Sequence, residues 1–245
     1  MRGRLQKLFI LVLLILLIPF LDGYSLEDDN KKEDSIIVNQ ASVSENIYAE
    51  MNLQGLLDFE VFEKAYIGYL SLDVKNKNIL SIIDFDKPSS EKRLVILDMK
   101  NKKTLFHSYV SHGRNSGNLY ADSFSNKHGS HKSSLGFYET ENTYQGKNGY
   151  SLILNGLEKG INDQAKARAI VIHGADYCSE NVISSSGRLG RSFGCPSIPQ
   201  ELTKPIINTI KNGSLLFIYA SNKSYLAQSK LLLPKSYFSH SANSL

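Results

Sequence analysis

From residue 79 onward the sequence predicts a mainly β domain, with a short helical segment before it and one helix late in the chain. Three observations carry this. The apolar runs Ile79–Phe85, Leu94–Leu97, Leu105–Val110, Ser151–Leu154 and Ala169–Ile172 are short and β-rich. Clusters of Gly, Asn, Ser and Lys separate them, as turns between strands require. Helical spacing of apolar residues is confined to residues 50–71 and to a stretch near 199–211.

Taken in order, the chain opens with Arg2, Arg4 and Lys7 before an apolar run from Leu8 to Leu21, broken by Pro19. A basic start and a short apolar stretch have the layout of a secretory signal peptide. The run falls short of the roughly 18 to 20 residues that span a bilayer as a helix. Residues 1–25 are therefore expected to be a signal peptide, with an uncleaved anchor and membrane attachment through residues 8–21 as the alternative. No Cys follows the run, which argues against a lipoprotein. The expected location is exported, in the periplasm or cell-wall space.

Composition narrows the classes further. The chain has 245 residues, 42% of them hydrophobic, with 17 Gly, no Trp and 2 Cys. That excludes collagen, coiled coil, wholesale disorder and a disulfide scaffold. The net charge of +4 is too even to argue for nucleic acid. Losing residues 1–24 removes three bases and Asp22, so +4 becomes +2.

Residues 26–48 are rich in Asp, Glu, Lys, Ser and Asn and read as a solvated linker. Leu53, Leu56, Leu57, Phe59, Phe62, Ala65, Tyr66 and Tyr69 recur near helical spacing, which predicts one or two short helices over 50–71. The folded domain is expected to cover 49–220. Its late helix, near 199–211, has Ser197-x-x-Gln200 as a capping box and Pro199 in the first turn, and the strand Leu215–Tyr219 follows. Residues 221–245 read as a tail.

The densest chemistry lies between Ile172 and Pro199. His173 ends a predicted strand, and Cys195 follows Gly194 after a loop rich in Gly, Ser and Arg. A helix N-terminus and the nearby Arg188 and Arg191 would favour thiolate over thiol. Gly194 permits the backbone conformation that a nucleophile-bearing turn often needs. Consecutive amides at such a turn can stabilise an oxyanion. A neighbouring His can accept the thiol proton and return it to a leaving amine. The competing view is a small buried Cys beside a structural His.

At these residues the sequence resembles a family. His173-Gly174 and Ser192-Phe193-Gly194-Cys195 look like the His-Gly and Ser-x-Gly-Cys signature of murein L,D-transpeptidase (YkuD-like) catalytic domains. Tyr109 to Gly113 is similar to that fold's strand ending in Val-Ser-x-Gly, and Ser133 to Tyr138 to its Thr-Pro-x-Gly-x-Phe turn and strand. The forms HGRNSG (112–117), SSLGFY (133–138) and GRLGRSFGCPSIP (187–199) resemble a divergent bacterial branch, over about residues 55–220.

The resemblance implies a β-dominated mixed sandwich. It makes Cys195 the nucleophile and His173 the base, with the Gly174 carbonyl orienting the imidazole and the Gly194 and Cys195 amides forming the oxyanion hole. Phe193 stands where many relatives have His, and Pro196-Ser197-Ile198 follow Cys195 where many have Val or Ile and then Arg or Asn. The substrate contact of that Arg or Asn would then fall to Arg188, Arg191 or Arg114. Ser192 joins these as a substrate-side residue, and Ser111, His112, Arg114 and Asn115 are candidates to bind a carboxylate or amide of a stem peptide.

The implied activity is an exported cysteine acyl-transferase acting on peptidoglycan stem peptides. It would form 3–3 cross-links with release of D-Ala, or hydrolyse the L,D bond when water is the acceptor. Carbapenem-like compounds are the inhibitors expected on the same resemblance. No cofactor is required, because thiol, imidazole and backbone dipoles fill every role. Cys178 reads as a small filler or redox-sensitive neighbour, with a bridge to Cys195 as the alternative. His128-x-x-His131 lacks the carboxylate of a recognised zinc pattern and reads as a solvated loop. The rival functions are a zinc-dependent cell-wall peptidase, a papain-like or NlpC-like peptidase, whose Cys normally precedes its His, and a non-catalytic peptidoglycan-binding module.

Overall fold

A computed structural model describes residues 43–232 of the chain. The expected signal segment, most of the expected linker and residues 233–245 lie outside the described residues. The end of that linker already carries structure. Residues 43–50 are helical, Ile47 and Tyr48 pack on the core, and the Tyr48 hydroxyl donates to the Leu57 carbonyl at 2.6 Å. No helix among the described residues is long and apolar enough to cross a membrane.

Helix α1 (Phe59–Ser71) precedes three strands, β1 (Asn76–Asp84), β2 (Leu94–Asp98) and β3 (Lys103–Ser108). A long connection leads to β4 (Gly136–Gly146), β5 (Gly149–Gly156) and β6 (Val171–Gly174). Helix α2 (Glu180–Ser186), strand β7 (Ser197–Ile198), helix α3 (Thr203–Ile210), strand β8 (Ser214–Tyr219) and helix α4 (Lys223–Gln228) complete the order. The eight strands form one mixed sheet in the order β3-β2-β1-β8-β4-β5-β6-β7. The β-dominated mixed fold expected from the sequence is the fold observed.

The middle of the sheet reads as it is buried. All six residues of β8 are inaccessible, between a parallel neighbour, β1, and an antiparallel one, β4. A strand covered on both faces needs apolar residues on both, so Leu215, Leu216, Phe217 and Ile218 run continuously where a half-exposed strand would alternate. Phe137 of β4 stacks on Phe217 at 4.2 Å between ring centroids and lies against Gly68 of α1. Thr140, on the opposite face by strand alternation, donates to the Ile210 carbonyl of α3 at 2.6 Å. Helices thus cover both faces of the sheet. The apolar stripes that bind them are Val61, Phe62, Ala65 and Tyr66 on α1, and Ile206, Ile207 and Ile210 on α3.

The sheet also curls until its edges meet. Beyond β3 the chain continues to Ser111, whose amide donates to the Ser197 carbonyl of β7 at 2.8 Å. Isolated bridges join Ser111 to Ser197 and Gly113 to Ser192. The segment that continues from β3 is thereby stitched to β7 and to the turn before it, forming a seam.

Three expectations are corrected here. The late helix is present, but as a short 3-10 turn (Gln200–Leu202) followed by α3, and no side chain caps either. Ser197 is buried in β7 with its hydroxyl committed elsewhere, so it is no helix cap. The described part of the expected tail is docked: α4 buries Tyr225, and Ser229 donates to buried Glu158 at 2.5 Å. Its polar composition hid this, because the anchor is a buried carboxylate far away in sequence.

Candidate active site

Strands β6 and β7 pair in parallel, with His173 opposite Ser197 and Gly174 opposite Ile198. Gly174 faces α3, where an added Cβ would lie 2.0 Å from the Thr203 hydroxyl oxygen. Only glycine fits there, and alternation turns His173 to the other face. Two residues before Ser197, Cys195 sits beside Val171, its Sγ 3.5 Å from the Val171 amide and 3.7 Å from the Ala169 carbonyl. The Gly194 backbone has φ +124°, and a Cβ on it would press on the Lys132 carbonyl at 2.9 Å. The glycine before the cysteine is therefore fixed by the turn.

Both ring nitrogens of His173 are engaged. Nδ1 lies 2.8 Å from the Gly174 carbonyl oxygen, which can only accept, so Nδ1 carries the hydrogen. Nε2 is then an acceptor and lies 3.1 Å from Ser197 Oγ, which in turn lies 2.9 Å from the Tyr177 hydroxyl. Burial pushes the His173 pKa down, with the Gly174 carbonyl opposing. Burial also pushes the Cys195 thiol up, opposed by the Val171 amide and by the charge of Arg168. Cys195 as a residue is 9% exposed. The resting pair is a neutral imidazole and a neutral thiol, each bonded to a group other than its partner.

The cation at the thiol is Arg168, which the sequence did not single out. Its guanidinium is held by the Ser125 carbonyl at 2.8 Å, the Lys132 carbonyl at 2.7 Å and the hydroxyls of Ser134 and Ser130. This corrects the expectation that Arg188, Arg191 and a helix N-terminus set the thiol's field, since α3 begins only at Thr203. Arg188, Arg191 and Arg114 instead form their own group. Arg191 donates to the Gly117 and Arg114 carbonyls, and its pKa is lowered by burial and then by the other two charges. Among the described residues no arginine forms an ion pair. Phe193 stands 62% exposed next to them, with Arg114 over one side of its ring and His131 against it at 4.7 Å.

Two residues expected on the substrate side are structural. His112 is fully buried, with Nδ1 accepting from Arg93 at 2.8 Å, and its pKa is pushed down to about 3, by burial first and the Arg93 charge second. Ser192 is buried too, donating to the Cys195 carbonyl at 2.6 Å and accepting from the Gly194 amide at 3.0 Å. It braces the nucleophile turn from inside and occupies one of the two amides expected in the oxyanion hole. Ser111 is buried, whereas Arg114 and Asn115 are exposed, with the Asn115 side-chain amide donating to the Ser130 carbonyl.

Arg93 went unnoticed in the sequence, yet it holds this whole region. Fully buried, it donates to the Val110 carbonyl from Nε and Nη2 and to the Lys87 carbonyl from Nη1, and stacks on Phe85 at 4.8 Å. Nothing local marks such a residue, since its partners lie six to nineteen positions away. Both cysteines are free, and Cys178 packs with Ala175 and Leu189 in a small separate core, its thiol pushed up to about 12 by burial. Among the described residues no group of three or more His, Cys, Asp or Glu side chains is placed to hold a metal ion.

The family model described as the L,D-transpeptidase catalytic domain matches residues 53–219 of this chain. No curated protein matches the sequence. Among solved structures, the chain is similar to an L,D-transpeptidase from Mycobacterium smegmatis at 10% identity, over 58% of this chain and 59% of that one, with a TM-score of 0.37. It is similar to the helical cell shape determining protein Pgp2 from Campylobacter jejuni at 13% identity, over 59% and 48% of the chains, with a TM-score of 0.41. It is also similar to the L,D-transpeptidase LdtMt1, solved in complex with imipenem, at 9% identity, over 58% and 59%, with a TM-score of 0.36. The matched parts span about three fifths or less of each of these three chains.

Proposed function

The chain belongs to the L,D-transpeptidase catalytic-domain family, as its His-Gly and Ser-x-Gly-Cys motifs led us to expect, and from that premise we propose that it is an exported cysteine acyl-transferase of peptidoglycan stem peptides. The observation that supports this most directly is the β6–β7 pairing. It sets a neutral imidazole with a fixed Nδ1 hydrogen on one strand and the segment bearing Cys195 on the next. For reaction the thiol leaves the Ala169 carbonyl and gives its proton to His173 Nε2. The thiolate attacks the carbonyl of the third stem residue, and the Cys195 amide faces the developing oxyanion. The Gly194 amide adds a second donor once it releases Ser192. His173 then protonates the departing D-Ala nitrogen, leaving a thioester on Cys195. A stem side-chain amine attacking that thioester gives a 3–3 cross-link, and water gives L,D-carboxypeptidase activity.

Arg114, Arg188 and Arg191 suit the anionic end of such a substrate, because their charge is not paired within the protein. A stem peptide carries a terminal carboxylate, and a guanidinium can hold it through two parallel hydrogen bonds. Phe193 would cover the adjacent apolar part of the ligand. Imipenem, bound by LdtMt1, is the corresponding acylating probe.

The test is incubation of the protein with tetrapeptide muropeptides and, separately, with imipenem, followed by mass spectrometry. The reading expects release of D-Ala, formation of tripeptide or 3–3 dimer, and one imipenem adduct located on Cys195. Unchanged muropeptides with the wild-type protein, or full turnover by Cys195→Ala, would overturn it.

A further inference from the structure

The hydrogen bonds at His173 continue beyond the imidazole, and their direction is fixed by the atoms involved. The Gly174 carbonyl can only accept, so Nδ1 donates and Nε2 of the neutral ring accepts. Ser197 Oγ must then donate its hydrogen to Nε2 at 3.1 Å, and the Tyr177 hydroxyl must donate to Ser197 Oγ at 2.9 Å. We propose that Ser197 and Tyr177 are positioning residues that hold His173 as the neutral Nδ1-protonated tautomer, with the Ser197 hydroxyl occupying the Nε2 lone pair until the thiol proton displaces it.

Each part of the chain is itself held. Ser197 is fully buried, its carbonyl taken by the Ser111 amide across the seam, so its Cα cannot drift. Tyr177 packs against Gly190, whose amide donates to the Tyr177 carbonyl at 2.8 Å. An added Cβ at Gly190 would fall 2.4 Å from the Tyr177 Cβ, so the ring sits in a slot cut for it. On the neighbouring elements, β5 pairs Ser151 with His173, the β6–α2 loop brings the Tyr177 hydroxyl to Ser197 Oγ, and the turn before β7 sets Cys195 Sγ on the Val171 amide two residues earlier in β6. No charged group is among the causes that shift His173. Besides the Gly174 carbonyl, the Ser197 hydroxyl is the polar group bonded to the ring, and Tyr177 is bonded to that hydroxyl.

The consequence concerns proton movement. When the thiol proton arrives at Nε2, that nitrogen becomes a donor. The Ser197 hydroxyl must reverse and donate toward Tyr177, which must turn its own hydrogen outward. The relay thus favours the neutral ring until substrate rearranges the site, and it keeps the imidazole from rotating or protonating while it waits. The sequence shows both residues, but nothing in it points to their meeting. They are 20 positions apart, and Ser197 carries the pattern of a helix cap.

This inference rests on the reading of His173 as the base for Cys195, and its test is independent of substrate. In a Cys195→Ala background the imidazole titrates without its thiol partner, and its midpoint can be followed by NMR, with assignment by comparison with His173→Gln. The midpoint is expected below the ordinary imidazole value of about 6.5. Ser197→Ala removes the donor that favours the neutral ring, so the midpoint should rise by about half a pH unit or more, the effect of one hydrogen bond. Tyr177→Phe should raise it by less, and Ser197→Thr should restore it. An unchanged midpoint in both Ser197→Ala and Tyr177→Phe would overturn the proposal. Tyr177→Phe and Ser197→Thr preserve bulk, so they decide the question if Ser197→Ala fails to fold. Absence of muropeptide turnover by the wild-type protein would defeat the transpeptidase reading and leave these midpoints untouched.

Discussion

Arg168 shows how much one side chain can set at this site. Its guanidinium is half buried, fixed by four oxygen atoms from the 125–134 loop, and its charge lowers the Cys195 pKa against the pull of burial. Removing that charge destabilises the thiolate, whichever partner holds the proton. Arg168→Gln should therefore slow iodoacetamide alkylation of Cys195 at pH 7 by about three- to tenfold, and Arg168→Lys should recover most of the rate. The reaction can be followed by peptide mass, with Cys178 as an internal control, since it is fully buried and its thiol is pushed up to about 12. Equal rates in wild type and Arg168→Gln would refute the assignment. His173 and Cys195 were readable in the sequence because short motifs carry them. Arg168 was not, because it lies 27 positions from Cys195 and its ligands are backbone carbonyls and serine hydroxyls. Ser192 and His112 were misread for the converse reason. They sit inside the motifs, yet their polar atoms are consumed by the backbone and by Arg93.

The element that brings these residues together is the segment 109–113, which leaves β3 and runs beside β7. It is held from beneath by Arg93, whose bonds to the Val110 carbonyl and to His112 fix it against the sheet. The arrangement tolerates only a neutral His112, because a proton on Nδ1 would meet the Arg93 guanidinium at 2.8 Å. With the folded pKa near 3 and an unfolded value of about 6.5, the unfolded chain binds the extra proton between these limits. A base with a depressed folded pKa stabilises fully above about pH 6.5, and this contribution is lost as pH falls toward 3. By pH 5 the loss should reach about 2 kcal/mol from this group. Buried Asp84, raised to about 6, acts with the opposite sign over about pH 4 to 6, so a substitution must isolate the histidine. Urea unfolding at pH 7 and pH 5 should show the wild type losing more stability than His112→Gln, and equal losses would refute the account. At this scale the strands were largely legible, because β1, β2, β5, β6 and β8 carry their own apolar runs. β7 has two residues and α2 buries no side chain, so neither leaves a periodic trace.

For the molecule as a whole, the decisive feature is where the sheet closes. The core strands β1, β8 and β4 are joined by ladders, with one register shift in β1 between Asn76 and Leu80, and are covered by helices on both faces. The seam at the other end is held by a few backbone bonds: Ser111 to the Ser197 carbonyl, Ser192 to the His112 carbonyl and Arg114 to the Ser192 carbonyl. Cys195 and the relay on His173 lie within this seam. The proposed reactive site thus lies where the two ends of the sheet are joined by isolated backbone bonds rather than by a ladder. Such a site can release the Gly194 amide and the thiol from their resting partners without disturbing the core, whereas a site in the middle of the sheet could not. Local opening follows the density of bonds and apolar contacts, so the seam should open well before global unfolding. Amide hydrogen exchange should then be at least roughly tenfold faster at Ser111, Ser192 and Arg114 than at Ile82, Leu216 and Phe217. If acylation of Cys195 draws the seam together, imipenem should slow exchange at the first set and leave the second unchanged. Equal protection of both sets in the free protein would mean that the seam and the core open as one unit, and the site would then need another source of mobility.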